Sequence, residues 1–298
     1  MEYIEAKTIL SGYRENNSWF GYHYNMNIYK GCCHGCIYCD SRSDCYGVED
    51  FDRVRAKESA IEILERDLRS KRKKGVVGTG AMSDPYNPFE KDARLTREAL
   101  KRIDLNGFGV GITTKSTLIE RDIDLLVQIA KHSPVIVKIT VTTEDDSLCK
   151  LIEPNVAVTS ERIRVIKELS KAGIYTGVLM MPILPYINDT IENIRGVTSA
   201  TALHGARFIY PAFGVTLRQN QREWYYKQLE QKFPEVKEKY LEKYANTYEC
   251  TSPDAGVLWK EFRDLCEKNK IRYKMDDIIE GYTSRYKVEQ LSLFDINK

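Results

Sequence analysis

Read from the amino terminus, the chain changes rhythm repeatedly between residues 21 and 215: short β-rich apolar runs alternate with stretches whose apolar positions recur every three or four residues. That alternation predicts strand and helix in turn. The runs are GYHYNMNIY (21–29), VVGTGA (76–81), GFGVGITT (107–114), PVIVKITVTT (134–143), IYTGVLMMPI (174–183) and ARFIYPAFGV (206–215). After the first run, Ala60, Ile61, Leu64 and Leu68 share one helical face with charge elsewhere, and Gly75 is placed to stop the helix. SERIRVIKELSKAG starts on a Ser/Thr cap and ends on Gly173 in the same way. Six strands separated by helices call for a parallel sheet, and in such folds the chemistry sits at the carboxyl ends of the strands.

Beyond residue 216 the pattern turns helical, through QREWYYKQLEQKFPEVKEKYLEKYANTY and AGVLWKEFRDLCEKNK. The expected organisation is an N-terminal segment (1–20), an α/β unit (21–215), a helical extension packed on it (216–287) and a tail (288–298). With 298 residues, 42% of them hydrophobic, the chain can bury a large core. No apolar stretch reaches the about 18 residues of a membrane span, and the N-terminus lacks an apolar leader core, so a cytoplasmic protein with no membrane partner is expected. A net charge of +2 gives no global pull on a polyanion; a nucleic-acid surface has to be a local patch.

The cysteines change the picture. Five of the eight fall between residues 32 and 45, and cytoplasmic thiols stay reduced, so metal or redox chemistry explains them better than a disulfide framework. Cys32, Cys36 and Cys39 stand at C-x3-C-x2-C directly after the first strand. Three thiolates on one short loop can bind three irons of a cubane [4Fe–4S] cluster and leave the fourth iron open. The competing reading is a zinc-stabilised nucleic-acid-binding module, but structural zinc takes four ligands, and the spacing to Cys45 or His34 fits no common finger. His34 is read as a hydrogen-bonding loop residue, and Cys33 and Cys45 as spectators.

This motif, after the first strand of a six-unit βα chain, resembles the radical S-adenosylmethionine (SAM) superfamily over about residues 20–215. Within it, GCCHGCIYC, the acid-Pro-Tyr segment after the second strand, TTKS and EPNVAVTSERIRVIKELSKAGI resemble the spore photoproduct lyase-related, DNA repair photolyase-like branch. The resemblance implies a partial (βα)6 TIM-like barrel, a [4Fe–4S] cluster on Cys32, Cys36 and Cys39, and SAM cleaved reductively to a 5′-deoxyadenosyl radical. It also implies an electron donor such as flavodoxin or ferredoxin. Tyr38 takes the aromatic position beside the adenine, Ser83 the position at the amino end of SAM, and Thr140 the position at the ribose. Lys115 ends the third strand, a poor place for a buried lysine unless it meets an anion, and the carboxylate of SAM would serve. For Tyr38, Ser83 and Thr140 the bland alternatives are loop packing, a Ser/Asp turn before Pro85 and sheet packing.

Two positions depart from the branch. Met82 stands where the spore enzymes place a cysteine hydrogen donor, and Asp40 where they place a tyrosine. A thioether has no S–H to give, so that radical relay does not transfer. The expected reaction is lyase- or repair-type chemistry on nucleic acid, with radical modification of RNA or protein as the enzymatic alternative. REWYYK (222–227) is read as core aromatics more readily than as a base-stacking platform. In the tail, Gln290, Leu291, Ser292, Leu293 and Phe294 spell QLSLF, which resembles the peptide that docks on a bacterial sliding clamp.

Overall fold

The structure is a computed structural model, and it describes residues 1–13 and 19–286. The clamp-like QLSLF segment lies outside the described residues. The strands are β1 (Glu2–Ile4), β2 (Leu10–Gly12), β3 (Tyr24–Met26), β4 (Tyr29–Lys30), β5 (Arg55–Lys57), β6 (Val76–Thr79), β7 (Gly109–Thr114), β8 (Val135–Thr140), β9 (Tyr175–Met180), β10 (Phe208–Pro211), β11 (Gly214–Thr216) and β12 (Glu249–Thr251). The helices are α1 (Ala60–Arg69), α2 (Glu90–Ala93), α3 (Leu95–Leu105), α4 (Ile123–Ile129), α5 (Asp146–Ile152), α6 (Thr159–Lys171), α7 (Ile191–Leu203), α8 (Gln221–Lys232), α9 (Pro234–Lys243), α10 (Ala255–Lys268) and α11 (Met275–Thr283).

The main sheet runs β10-β9-β8-β7-β6-β3-β2. From β3 to β10 every pairing is parallel, and β2 closes one edge antiparallel to β3. This is the expected (βα)6 partial barrel. β8 at its centre is buried at all six positions, as a strand covered on both faces must be. Helices bury their apolar stripes on the outside: Leu64 and Leu68 of α1 are fully buried, each stabilising the fold by about 1.5–3 kcal/mol.

Three expected elements come out differently. The run 21–29 is two strands, because the chain leaves the barrel after Met26 and pairs through β4 with β5, itself parallel to β1. The cysteine loop hangs from this small side sheet. The run 206–215 also splits: the pairing with β9 ends where the Ala212 N–H donates to the Met180 carbonyl at 3.1 Å, and the chain turns to pair β11 antiparallel with β12. The third concerns α6, whose first helical residue is Thr159, so the flanking position falls on Val158; its backbone N–H is capped by the Glu161 carboxylate at 3.0 Å.

Residues beyond 216 pack on the barrel in two places. Leu258, Phe262 and Cys266 of α10 join the main core beside α7, while Ile278 and Tyr282 of α11 seal the barrel interior against Phe20, Tyr22 and Phe208. Helices α8 and α9 build a separate apolar cluster with Cys36, Ile37 and Tyr38 of the cysteine loop. The REWYYK aromatics serve that packing: Tyr225 is fully buried, and Trp224 lies under the Arg42 guanidinium at 3.8 Å. Among the described residues no helix is long and apolar enough to cross a membrane.

Candidate active site

The carboxyl ends of β6, β7 and β8 and the cysteine loop after β4 converge on a small cavity of about 80 Å³. It is lined by Cys32, Cys36 and Cys39 together with His34, Met82, Ser83, Asp84, Lys115 and Thr140. A larger cavity of about 440 Å³ adjoins it inside the barrel, sharing Cys39, Ser41, Gly80, Ala81, Thr113 and Lys115; Tyr38 and Asp40 line its wall. Six of the seven residues singled out from the sequence therefore face one space, and Tyr38 faces the next. Cys33 and Cys45 line neither.

Backbone contacts hold the cysteine loop. The Cys32 N–H donates to the Phe51 carbonyl at 2.8 Å, the Ile37 N–H to Ile152 at 2.9 Å and the Asn155 N–H to His34 at 3.1 Å. From the C-terminal helices, Trp224 Nε1 donates to the Cys36 carbonyl at 3.4 Å and Gln221 Nε2 to that of Tyr38 at 3.1 Å. The extension thus fixes the loop from the side opposite the barrel. Gly35 has φ +69, and an added Cβ would meet Pro154 and Asn155, so the turn between the cysteines suits glycine.

Burial pushes the thiol of Cys32 up to about 12, and those of Cys36 and Cys39 upward as well. A metal has to displace these protons to bind. A single zinc ion needs donors that close on one point. Among the described residues no three His, Cys, Asp or Glu side chains do so. The thiolates of a cubane each reach a different iron, so this donor set suits a cluster better than one ion.

Asp84 organises the opposite wall. Oδ1 accepts from Thr114 Oγ1 at 2.7 Å and the Tyr86 N–H at 2.8 Å, and Oδ2 accepts from the Lys115 N–H at 2.8 Å. His34 Nδ1 stands 3.7 Å from the same oxygen, and burial lowers the His34 pKa, which leaves the ring a neutral polar partner in the loop, as its sequence position suggests. Ser83 Oγ donates to the Gly31 carbonyl at 2.8 Å, which leaves its oxygen able to accept a hydrogen bond.

Beneath this wall lies a buried network that the sequence reading passed over. Arg162 Nη2 meets Glu153 Oε2 at 2.5 Å with both side chains excluded from solvent, Arg162 Nη1 donates to the Thr140 carbonyl at 2.8 Å, and the Tyr38 hydroxyl donates to Glu153. Burial alone would raise the Glu153 pKa; Arg162 and Lys115 outweigh it and hold the carboxyl below its ordinary range. Burial also acts to lower the Lys115 pKa, but Cys36 and Glu153 reverse it, so the amine stays charged beside the Tyr38 ring at 5.7 Å. The signal was legible: Arg162 interrupts the apolar face that Thr159, Ile163 and Ile166 form on α6.

The chain matches the Radical SAM superfamily over residues 26–195. An uncharacterized protein of Methanocaldococcus jannaschii is 34% identical over 218 residues, covering 72% of this chain and 78% of that one. One of Mycobacterium tuberculosis is 29% identical over 230 residues, covering 75% and 67%. Among solved structures, a spore photoproduct lyase mutant with a dinucleoside spore photoproduct superposes with a TM-score of 0.60 at 14% identity, covering 83% of this chain and 74% of that one. The radical SAM methyltransferase TsrM of Kitasatospora setae, with tryptophan and a SAM analog bound, gives 0.53 at 14%, covering 83% and 51%. At these identities the likeness to solved structures is one of fold.

Proposed function

The chain belongs to the radical SAM superfamily, and from that membership we propose that it is an enzyme cleaving S-adenosylmethionine reductively at a [4Fe–4S] cluster, for lyase- or repair-type chemistry on nucleic acid. One observation carries the reading: Cys32, Cys36 and Cys39 share a single cavity with Ser83, Lys115 and Thr140 at the carboxyl ends of the barrel strands. The three thiolates hold the cluster. Ser83 accepts from the ammonium of SAM, Lys115 pairs with its carboxylate, Thr140 stands at the ribose and Tyr38 beside the adenine. The cluster and SAM supply an electron transfer that yields methionine and a 5′-deoxyadenosyl radical able to abstract hydrogen from substrate. Around them the chain's own residues position and exclude water: Asp84 fixes the Lys115 backbone, and the Glu153–Arg162 pair keeps the Tyr38 ring and Lys115 in register. A small electron carrier, flavodoxin or ferredoxin, supplies the reductant, and the cytoplasm suits such oxygen-sensitive chemistry.

Nucleic acid is favoured because the larger cavity has aromatic walls, Trp19, Tyr22 and Tyr38, and two lysines, and because the spore photoproduct lyase fold holds its dinucleoside on the same architecture. Met82 and Asp40 both line the cavities, so the hydrogen that completes the reaction comes from another group than in the spore enzymes.

Two measurements test this reading. Under dithionite, the anaerobically reconstituted protein should form 5′-deoxyadenosine from SAM, and with perdeuterated DNA oligonucleotides the product should carry deuterium. Deuterium arriving from perdeuterated RNA or protein but never from DNA would move the substrate to the alternative class. Lys115→Ala should keep its iron and bind SAM about 10- to 100-fold more weakly, the loss expected for one charge-assisted hydrogen bond. Unchanged SAM affinity in a calorimetric titration would take Lys115 out of the site.

A further inference from the structure

Inside the barrel, one turn of the strand below Thr140, stands a lysine that the chemistry above does not use. Ile136, Lys138 and Thr140 alternate along β8, so their side chains share the inner face. Ile136 packs in the apolar floor and Thr140 lines the cysteine cavity. Lys138, between them, is 1% exposed and borders the larger cavity.

Its ammonium lies 4.2 Å from the ring centre of Phe20 and 4.4 Å from that of Tyr22, and among the described residues no carboxylate or carbonyl meets it. Burial alone drives its pKa well below the ordinary value. The hydroxyl of Tyr22, which lines the same cavity, is buried without a hydrogen-bond partner among the described residues. Tyr22 is not there by default. Its ring lies across Gly78 and Gly111, where an added Cβ would come within 2.2 Å of ring atoms, so the two glycines clear its slot. Among the described residues lining this cavity the one acid is Asp40; its Oδ2 accepts from the Tyr46 hydroxyl at 2.6 Å, and its Oδ1 lies 3.4 Å from Arg218 Nε as an ion pair without a hydrogen bond.

A buried amine with no ion-pair partner among the described residues and a buried hydroxyl with no hydrogen-bond partner, both lining this cavity, are costly to the fold unless something enters to satisfy them. We propose that Lys138 and Tyr22 form an anchoring site within the barrel for a phosphate oxygen of the substrate, an inference that rests on the nucleic-acid reading above. Burial disfavours the charge on this amine, an anion entering beside it would restore the charge, and a lysine ammonium is a compact point charge suited to phosphate. Lys115 at the mouth and Lys138 at depth set a positive gradient that draws an anionic group inward.

The test uses the reconstituted full chain and its Lys138→Met and Tyr22→Phe variants, titrated with inorganic phosphate, with acetate and with single-stranded oligothymidylate. Phosphate should bind saturably to the wild type, and about 10- to 100-fold more weakly to Lys138→Met, the loss of one charge-assisted contact. Tyr22→Phe should fall between them. Without ligand, Lys138→Met should melt at a higher temperature than the wild type, since it removes a buried amine that has no polar partner; a lysine kept for structure would melt lower when replaced. No saturable phosphate binding, or equal binding by wild type and Lys138→Met, overturns the site. Acetate binding as tightly as phosphate overturns the phosphate assignment and moves the ligand to a carboxylate. Oligothymidylate bound equally by wild type and Lys138→Met leaves the nucleic-acid reading standing and removes Lys138 from it, whereas phosphate binding lost in Lys138→Met with no oligonucleotide binding retains the anion site and removes nucleic acid.

Discussion

Replacing Cys32, Cys36 or Cys39 singly by alanine is expected to give a folded protein that retains no intact cluster after anaerobic reconstitution, while Cys33→Ala and Cys45→Ala retain about four irons and a broad visible absorption. The fold should survive because the loop is held by its backbone: the bonds from Cys32, Ile37 and Asn155 N–H groups and from Trp224 Nε1 do not involve a cysteine sulfur. The cluster should not survive, since on the proposed assignment each thiolate would be the sole protein ligand of its iron and two remaining ligands would leave two irons open. Cys33 packs against the main core and Cys45 sits on the surface beside Arg218 at 3.4 Å, both away from the cavity. Iron and sulfide analysis beside circular dichroism separates loss of cluster from loss of fold. Cys33→Ala losing iron as completely as Cys36→Ala, with the fold intact, would sink the assignment.

The second large effect concerns stability. Glu153→Gln should destabilise the metal-free protein by about 3–5 kcal/mol, because it strands the Arg162 charge in a site from which water is excluded. Against the about 5–15 kcal/mol by which a typical domain is stable, this is a substantial fraction. Replacing both partners, as in Glu153→Leu with Arg162→Met, should recover much of the loss, since no orphaned charge remains. The effect also depends on pH in a definite sense. The folded-state pKa of Glu153 is depressed, so its contribution is present above the ordinary carboxylate value and disappears as pH falls through the folded one. Urea denaturation of both proteins across that range should show the gap closing in acid. A difference below about 1 kcal/mol at neutral pH, the size of an exposed pair, would mean that Arg162 finds other solvation when the carboxylate is lost.

The contact that makes Glu153 matter could not be read from its sequence position. Glu153 precedes Pro154 at the end of α5 and Arg162 lies nine residues on in α6; the turn between the helices brings them together under β8. Lys138 is the converse case. A lysine within PVIVKITV is anomalous in any reading, yet the sequence alone does not tell whether it faces a helix layer, an ion pair or the barrel interior.

Periodicity by itself determined the six parallel strands, because a strand buried on both faces must be apolar throughout and the helices between must carry one apolar stripe. Spacing determined the three cysteines, since ligands from one short loop are neighbours in sequence as well as in space. Tertiary structure decided what depends on contacts between distant segments: the break of the first strand at Met26, which swings the cysteine loop onto a side sheet, and the hold of α8 on that loop through Gln221 and Trp224. It also decided the facing of Ser83, Lys115 and Thr140 into one cavity and of Lys138 into the next. Those residues come from three different strand ends, and their nearness is fixed by sheet order and register, which follow from the packing of the whole barrel and from no local stretch of it.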